Sequence, residues 1–287
     1  MRIHLAISRL LRWLEIRFVC LLAELTPTAF LTWWSRRLYP CHHVCIFRLS
    51  KYTVLKTGFS VRPAEPSAMR YVAIHSRIPV PIVFKSWTLS DGSGAFIMEW
   101  IQGSYTFEQQ RKIIGTDRNL KIVRQVRSFV EELRSLPQPD HIRGMICAFD
   151  GSTCFDDRIK SQKCGPFVSE GAFNSYRLGL LGRFLWEPNA RKEIENIKLR
   201  LRDDHRIVLT HGDLKDCNIL MNNADNVVAI IDWETAGWMP EYWEYIKAVH
   251  GRWHDEEWVS LTREIAPPYD AEMEVDDQYL IVNGSPF

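Results

Sequence analysis

His211-Gly212-Asp213-Leu214-Lys215-Asp216-Cys217-Asn218, followed thirteen residues on by Ile231-Asp232-Trp233-Glu234, is the stretch whose reading decides the fold. Residues 206–210 ahead of it read as a strand. Residues 218–221 and 226–231 read as a hairpin, with Asn222-Asn223-Ala224-Asp225 as its turn. Two aspartates and an asparagine therefore stand at strand ends, where a rigid scaffold can aim them. Phosphoryl transfer asks for such a set. One carboxylate meets an incoming hydroxyl, while an amide oxygen and a second carboxylate hold a hard cation against phosphate oxygens.

Working outward, a chain of 287 residues has room for one large domain or two modest lobes. A hydrophobic share of 46% and a charged share of 25% are ordinary for a globular protein. The net charge of +1 gives no reason to expect a nucleic-acid partner. No apolar run approaches the roughly 20 residues of a membrane span. Residues 1–38 mix Leu, Ile and Trp with Arg2, Arg9, Arg12, Arg17, Arg36 and Arg37. Three readings stand for this segment: a helix packed on the folded body, a membrane-surface helix, or a targeting segment. The seven cysteines have irregular spacing, which argues against a disulfide framework and fits a cytoplasmic setting. Cys41-His42-His43-Val44-Cys45 resembles half a zinc site but lacks a second pair at matching spacing.

The order of elements suggests two lobes. Residues 44–49 and 52–56 alternate as a hairpin, residues 65–76 read as a helix with Met69, Val72 and Ala73 inward, and residues 82–89 and 95–99 read as strands. Gly103 marks a hinge. Beyond it, Asp117 is expected to cap a helix to residue 135, residues 140–175 read as loop-rich, and residues 190–201 as helical. Pro240 is expected to open a helix through Trp253, residues 254–266 to form another, and the acidic stretch 255–277 to form a solvated face and tail. The expected fold class is α+β and bilobal, kinase-like: a small antiparallel-sheet N-lobe and a larger helical C-lobe. Its parts are an N-terminal helical extension (1–43), a nucleotide-binding N-lobe (44–102) and a catalytic, acceptor-binding C-lobe (103–287), with ATP in the cleft.

These motifs resemble the aminoglycoside phosphotransferase (phosphotransferase enzyme) family, a relative of the protein kinases. The resemblance runs from about residue 44 to about residue 253. It rests on H-G-D-x-x-x-x-N with I-D-W-E, and on Val54-Leu55-Lys56, Ile78-Pro79-Val80-Pro81, Met98-Glu99-Trp100-Ile101-Gln102-Gly103 and Gly165-Pro166-Phe167. The resemblance implies Asp213 as the catalytic base and Asn218 and Asp232 as Mg²⁺ ligands. It implies Lys56 on the α- and β-phosphates of ATP, Glu65 as the partner of Lys56, and backbone groups of Glu99, Trp100 and Ile101 facing adenine. Lys215, two residues after the presumed base, is placed to neutralise the moving phosphate. His211 either braces the loop or carries a proton.

The chain departs from the pattern in one respect. No glycine occurs before Gly58, so no G-x-G-x-x-G covers the nucleotide. A silent, ligand-binding relative is therefore an alternative to an enzyme. A protein kinase is a weaker alternative, because Gly212 replaces the usual arginine and only seven residues separate Asp232 from Pro240. The expected acceptor is a small hydroxylated molecule held by the C-lobe and its 140–175 loops. Asp150, Asp156 and Asp157 read as solvated loop acids or as contacts to a cationic acceptor, and Trp233, Trp238, Tyr242 and Trp243 as core or pocket wall. The oligomeric state is not legible.

Overall fold

The computed structural model describes residues 2–40, 43–252 and 254–284. Two helices come first, α1 (Arg2–Leu25) and α2 (Thr28–Leu38). A four-stranded antiparallel sheet follows, from β1 (Ile46–Arg48), β2 (Thr53–Thr57), β3 (Val83–Thr88) and β4 (Gly94–Glu99), in the order β1-β2-β4-β3, with α3 (Ala64–His75) inserted after β2. Alternating side chains point to opposite faces of a strand. Phe47, Leu55, Ala95 and Ile97 meet Val19 and Leu31 of α1 and α2, whereas Phe96 joins Ala68, Met69 and Val72 of α3. Helices thus cover both faces of the sheet, which is why every residue of β2 is buried. Of the expected inward positions on α3, Ala73 is exposed, and Ala64, Glu65 and Ala68 take the buried face instead.

The rest is mostly helical: α4 (Phe107–Ile114), α5 (Thr116–Ser135), α6 (Glu170–Leu181), α7 (Pro188–Arg200), α8 (Trp243–His250), α9 (Glu256–Ile265) and α10 (Asp270–Asn283). Short strands carry the loops between them. β5 (Tyr105–Thr106) pairs with the hairpin β10 (Ile219–Met221) and β11 (Val227–Ile230). β12 (Gly237–Pro240) lies between β6 (Cys147–Ala148) and β9 (Ile207–Thr210), and β7 (Cys154–Asp156) pairs with β8 (Lys160–Cys164). The fold class is as expected: a small antiparallel sheet region followed by a helical region, in a kinase-like plan.

Several local expectations are corrected. Pro240 ends a strand, opposite Ile207, and the helix starts only at Trp243; a proline is tolerated at a strand end, where a missing N–H costs little. Trp253 lies outside the described residues. The cap of α5 is Gly115, and Asp117 sits in the first turn, where its charge favours the helix dipole. Helix α4, absent from the sequence reading, opens on a capping box between Thr106 and Gln109. The 140–175 region holds three short strands and the start of α6. Cys41 and His42 lie outside the described residues, and Cys45 Sγ stands 3.8 Å from Ser60 Oγ.

The acidic stretch is more than a solvated tail. Asp276 on α10 is buried between Arg158 and Arg177, and its carboxyl is held below the usual range: burial would raise it, but the two guanidiniums outweigh burial. Removing one partner of a buried ion pair strands the other charge, at a cost of about 3–5 kcal/mol. Asp276→Ala is therefore expected to lower the free energy of unfolding by about that amount, read by chemical denaturation. A change under about 1 kcal/mol would mean that water reaches the arginines.

Candidate active site

Lys56 is buried in β2, and its ammonium is the centre of a cluster. Glu65 Oε1, in the first turn of α3, lies 2.8 Å from Nζ, Asp232 Oδ1 lies 2.5 Å away and Glu234 Oε2 3.6 Å away. Burial alone would discharge the lysine; the three carboxylates outweigh it and hold Lys56 protonated well above its ordinary range. Burial pushes the Glu65 carboxyl up to about 7 against the pull of Lys56, and burial also raises Glu234, with Asp232 adding to it. Asp232 ends below its usual value because Lys56 overrides burial. Lys56 and Glu65 shift upward together because the lysine answers to three acids, while Glu65 has one cation set against complete burial and two like charges.

Backbone geometry aims the loops. Gly212 has φ 77°, and a Cβ there would come within 2.8 Å of the Thr235 carbonyl oxygen. Asp232 also adopts left-handed backbone, φ 68°, a conformation that costs a non-glycine residue about 1 kcal/mol. The backbone N–H groups of His211 and Gly212 donate to the buried Glu244 carboxylate on α8, at 2.6 and 3.1 Å. Asp213 N–H donates to His211 Nδ1 at 3.2 Å, which leaves Nε2 to donate to the Ile231 carbonyl at 3.0 Å. Both ring nitrogens of His211 are thus engaged with backbone. The ring braces the loop, and the proton-carrying reading is set aside.

Asn218 and Asp213 meet directly. The Asn218 amide nitrogen donates to the Asp213 carbonyl at 2.8 Å and to its carboxylate at 3.0 Å, and Lys215 Nζ lies 2.6 Å from the other carboxylate oxygen. Ile231 N–H donates to the Asn218 carbonyl, so the Asp213 loop is tied to the residue before Asp232. The turn at Asp216–Asn218 is fastened from below. Asp216 is fully buried, 2.6 Å from Arg111 of α4, which also holds Asp255 and Glu257. Glu244, Arg111, Asp216 and Glu234 had no role in the sequence reading. The two motif stretches at least contained Asp216 and Glu234; Glu244 and Arg111 act through partners no local pattern reveals.

Two cavities open beside this cluster. One, of about 650 Å³, is lined by Lys56, Glu65, Asp232 and Glu234 together with Val54 and Met98, and by the strip Glu99, Trp100 and Ile101. Within that strip, Trp100 N–H already donates to the Tyr52 carbonyl, and the Glu99 carboxylate pairs with Arg12 of α1. The second, of about 570 Å³, is lined by Arg62, Asp150, Phe155, Asp156 and Lys163, and again by Glu234. Glu234 therefore joins the two. Asp156 is a buried acid rather than a solvated one, held by Lys247 at 2.8 Å and by the Trp243 indole at 2.9 Å. Trp233, Trp238, Tyr242 and Trp243 are buried as core.

The model of the phosphotransferase enzyme family matches residues 60–273. No curated protein matches the chain. Among solved structures, an aminoglycoside-3′-phosphotransferase of type VIII superposes with a TM-score of 0.53 at 13% identity, covering 85% of this chain and 90% of its own. The GDP complex of aminoglycoside 2′-phosphotransferase-IIIa gives 0.55 at 13%, with coverages of 86% and 82%. The streptomycin–ATP ternary complex of APH(2″)-IIa gives 0.51 at 16%, with coverages of 87% and 92%. At these identities the likeness is one of fold.

Glu65 carries a pH signature. Between its ordinary value of 4.5 and its folded value of about 7, the folded protein keeps a proton that the unfolded chain has released. The contribution of this group to stability is greatest at and below the lower value, falls as pH rises through that window, and is flat above it. The stability advantage of the wild type over Glu65→Gln is expected to shrink between pH 5 and pH 7.5, measured by denaturant melts at both. An advantage that grows instead would mean that Lys56 outweighs burial.

Proposed function

This chain belongs to the phosphotransferase enzyme family, and on that premise we propose that it transfers the γ-phosphate of ATP to a hydroxyl of a small molecule, with Mg²⁺ as cofactor. One observation carries the reading: Lys56 and Asp232, 176 positions apart, meet at the floor of a cavity. On this reading the Asp213 carboxylate accepts the proton of the acceptor hydroxyl as the new O–P bond forms. The Asn218 amide and Lys215 hold that carboxylate in place. Lys215 then offsets charge on the group in flight. Lys56 anchors the α- and β-phosphates, and Glu65 fixes its ammonium. Glu99, Trp100 and Ile101 offer backbone groups to the adenine; the N–H groups of Glu99 and Trp100 are already engaged by the Ile82 and Tyr52 carbonyls.

The residues suit a magnesium ion. Three carboxylates around one ammonium leave an excess of negative charge, and all the donors are hard oxygens. The Asn218 amide nitrogen is turned to Asp213, so its oxygen is free of that contact and can act with Asp232 as a ligand. Bound there, the ion would neutralise phosphate charge. The acceptor is assigned to the second cavity, which shares Glu234 with the first. The solved relatives include proteins bound to aminoglycosides, by name; for this chain the acceptor is taken only to the class of small hydroxylated molecules. The described free cysteines fit a cytoplasmic setting.

Asp213→Ala is expected to lower kcat for ADP release with an accepted substrate by roughly 10²–10⁴-fold while ATP binding is largely retained. An unchanged rate would remove Asp213 from the chemistry. Millimolar ATP with Mg²⁺ is expected to raise the melting temperature, because a ligand of the native state alone stabilises it. Asp232→Asn is expected to weaken that shift. A wild-type protein without any shift would favour the silent, non-nucleotide reading.

A further inference from the structure

The outer surface of α1 carries a feature that the catalytic reading leaves unused. Ile7, Leu11, Leu14, Phe18, Leu21 and Leu25 recur at alternating steps of four and three, so they lie along one side of the helix. All six are exposed, Phe18 by 58% and Leu25 by 73%. The stripe is about 27 Å long at 1.5 Å per residue. A different side of α1, with Val19, Leu22 and Ala23, meets the sheet. Exposure of six large apolar side chains in a row marks an interaction surface.

The charges beside the stripe define the partner. Trp13 and Arg17 stand one helical turn apart on one flank of the stripe, and the Arg17 guanidinium lies 5.1 Å from the Trp13 ring centre. Arg37 of α2 repeats the arrangement over Trp33, which is also exposed. The two acids of α1 are tied to the body: Glu15 accepts from Lys51 N–H at 3.0 Å and Glu24 pairs with Lys85 at 2.7 Å. What borders the stripe is therefore apolar bulk, indole and guanidinium, with Glu24 paired to Lys85. No described helix is long and apolar enough to cross a membrane. A basic amphipathic helix with Leu, Phe and Trp on its apolar side is the form that lies in a lipid interface.

We propose that the α1 stripe docks this protein on an anionic lipid surface, with Phe18 and the leucines entering the acyl boundary and Arg17 at its flank meeting phosphate headgroups. This assignment is independent of the phosphotransfer reading. It is tested by flotation of the full chain with vesicles of phosphatidylcholine alone and with about 30% phosphatidylserine, at low and at high salt. Binding to the anionic vesicles is expected, weakened by salt and absent from the neutral ones. Arg17→Glu should reduce partition roughly 30-fold. Leu14→Asp with Phe18→Asp should abolish it while the melting temperature stays near that of the wild type, since both side chains are exposed. No flotation with anionic vesicles, equal flotation with neutral ones, or unchanged flotation of the Leu14/Phe18 variant would each overturn the proposal. So would a dimer in light scattering that the same variant dissolves while vesicles fail to bind, which would give the stripe to a second copy.

Discussion

A single buried ammonium organises the rest of the molecule. Lys56 comes from the sheet, Glu65 from the helix inserted after it, and Asp232 and Glu234 from the far part of the chain. An uncompensated charge at that depth would not survive, so the carboxylates must come to it. The requirement fixes three elements relative to one another. The sheet has to present Lys56 at a defined height, and covering it with helices on both faces does so. The carboxylates outnumber the cation, so the cluster is anionic as it stands. A site in that condition is prepared for a positively charged visitor rather than complete without one.

The loops that supply the second half of the cluster are held by backbone contacts more than by their own side chains. Glu244 gathers two N–H groups at His211 and Gly212, and His211 spans from Asp213 to Ile231. Arg111 and Asp216 fix the turn beneath. His211, Glu244, Arg111 and Asp216 are buried, and each has a partner distant in sequence. The catalytic carboxylate assigned to Asp213 can therefore be only about one-fifth exposed and still be aimed, because the scaffold around it has few other arrangements open to it.

The strands around the motif and the α3 helix were legible because spacing and periodicity carry them, whereas the pairing of Lys56 with Glu65 was implied only by the family resemblance. The sequence did not reveal Glu244 or Asp276. A glutamate on an amphipathic helix and an aspartate in an acidic run look like solvated groups until the fold brings backbone amides or arginines to them. Pro240 misled for a related reason. Proline starts helices more often than it ends strands, and only the ladder with Ile207–Thr210 overrides that preference. Helix α4 escaped because its capping box is Thr with Gln, flanked by polar residues, and its buried positions number only two, Phe107 and Arg111.

The missing glycine-rich cover acquires a structural setting. In its usual place a flexible hairpin would precede β1; here α1 and α2 come first and pack on the outer sheet face. The β1–β2 turn is closed tightly instead, with Ser50 Oγ 2.8 Å from Thr53 Oγ1 and Leu49 N–H on the Thr53 carbonyl. Helix α1 also reaches the strip at Glu99 through Arg12. Support around the Lys56 cavity thus comes from behind the sheet. On the proposed reading, phosphate binding rests on Lys56, whose ammonium is held in place by its carboxylates before any ligand arrives. The support from behind the sheet makes the packing of α1 and α2 part of the site, although neither supplies a residue proposed to touch phosphate.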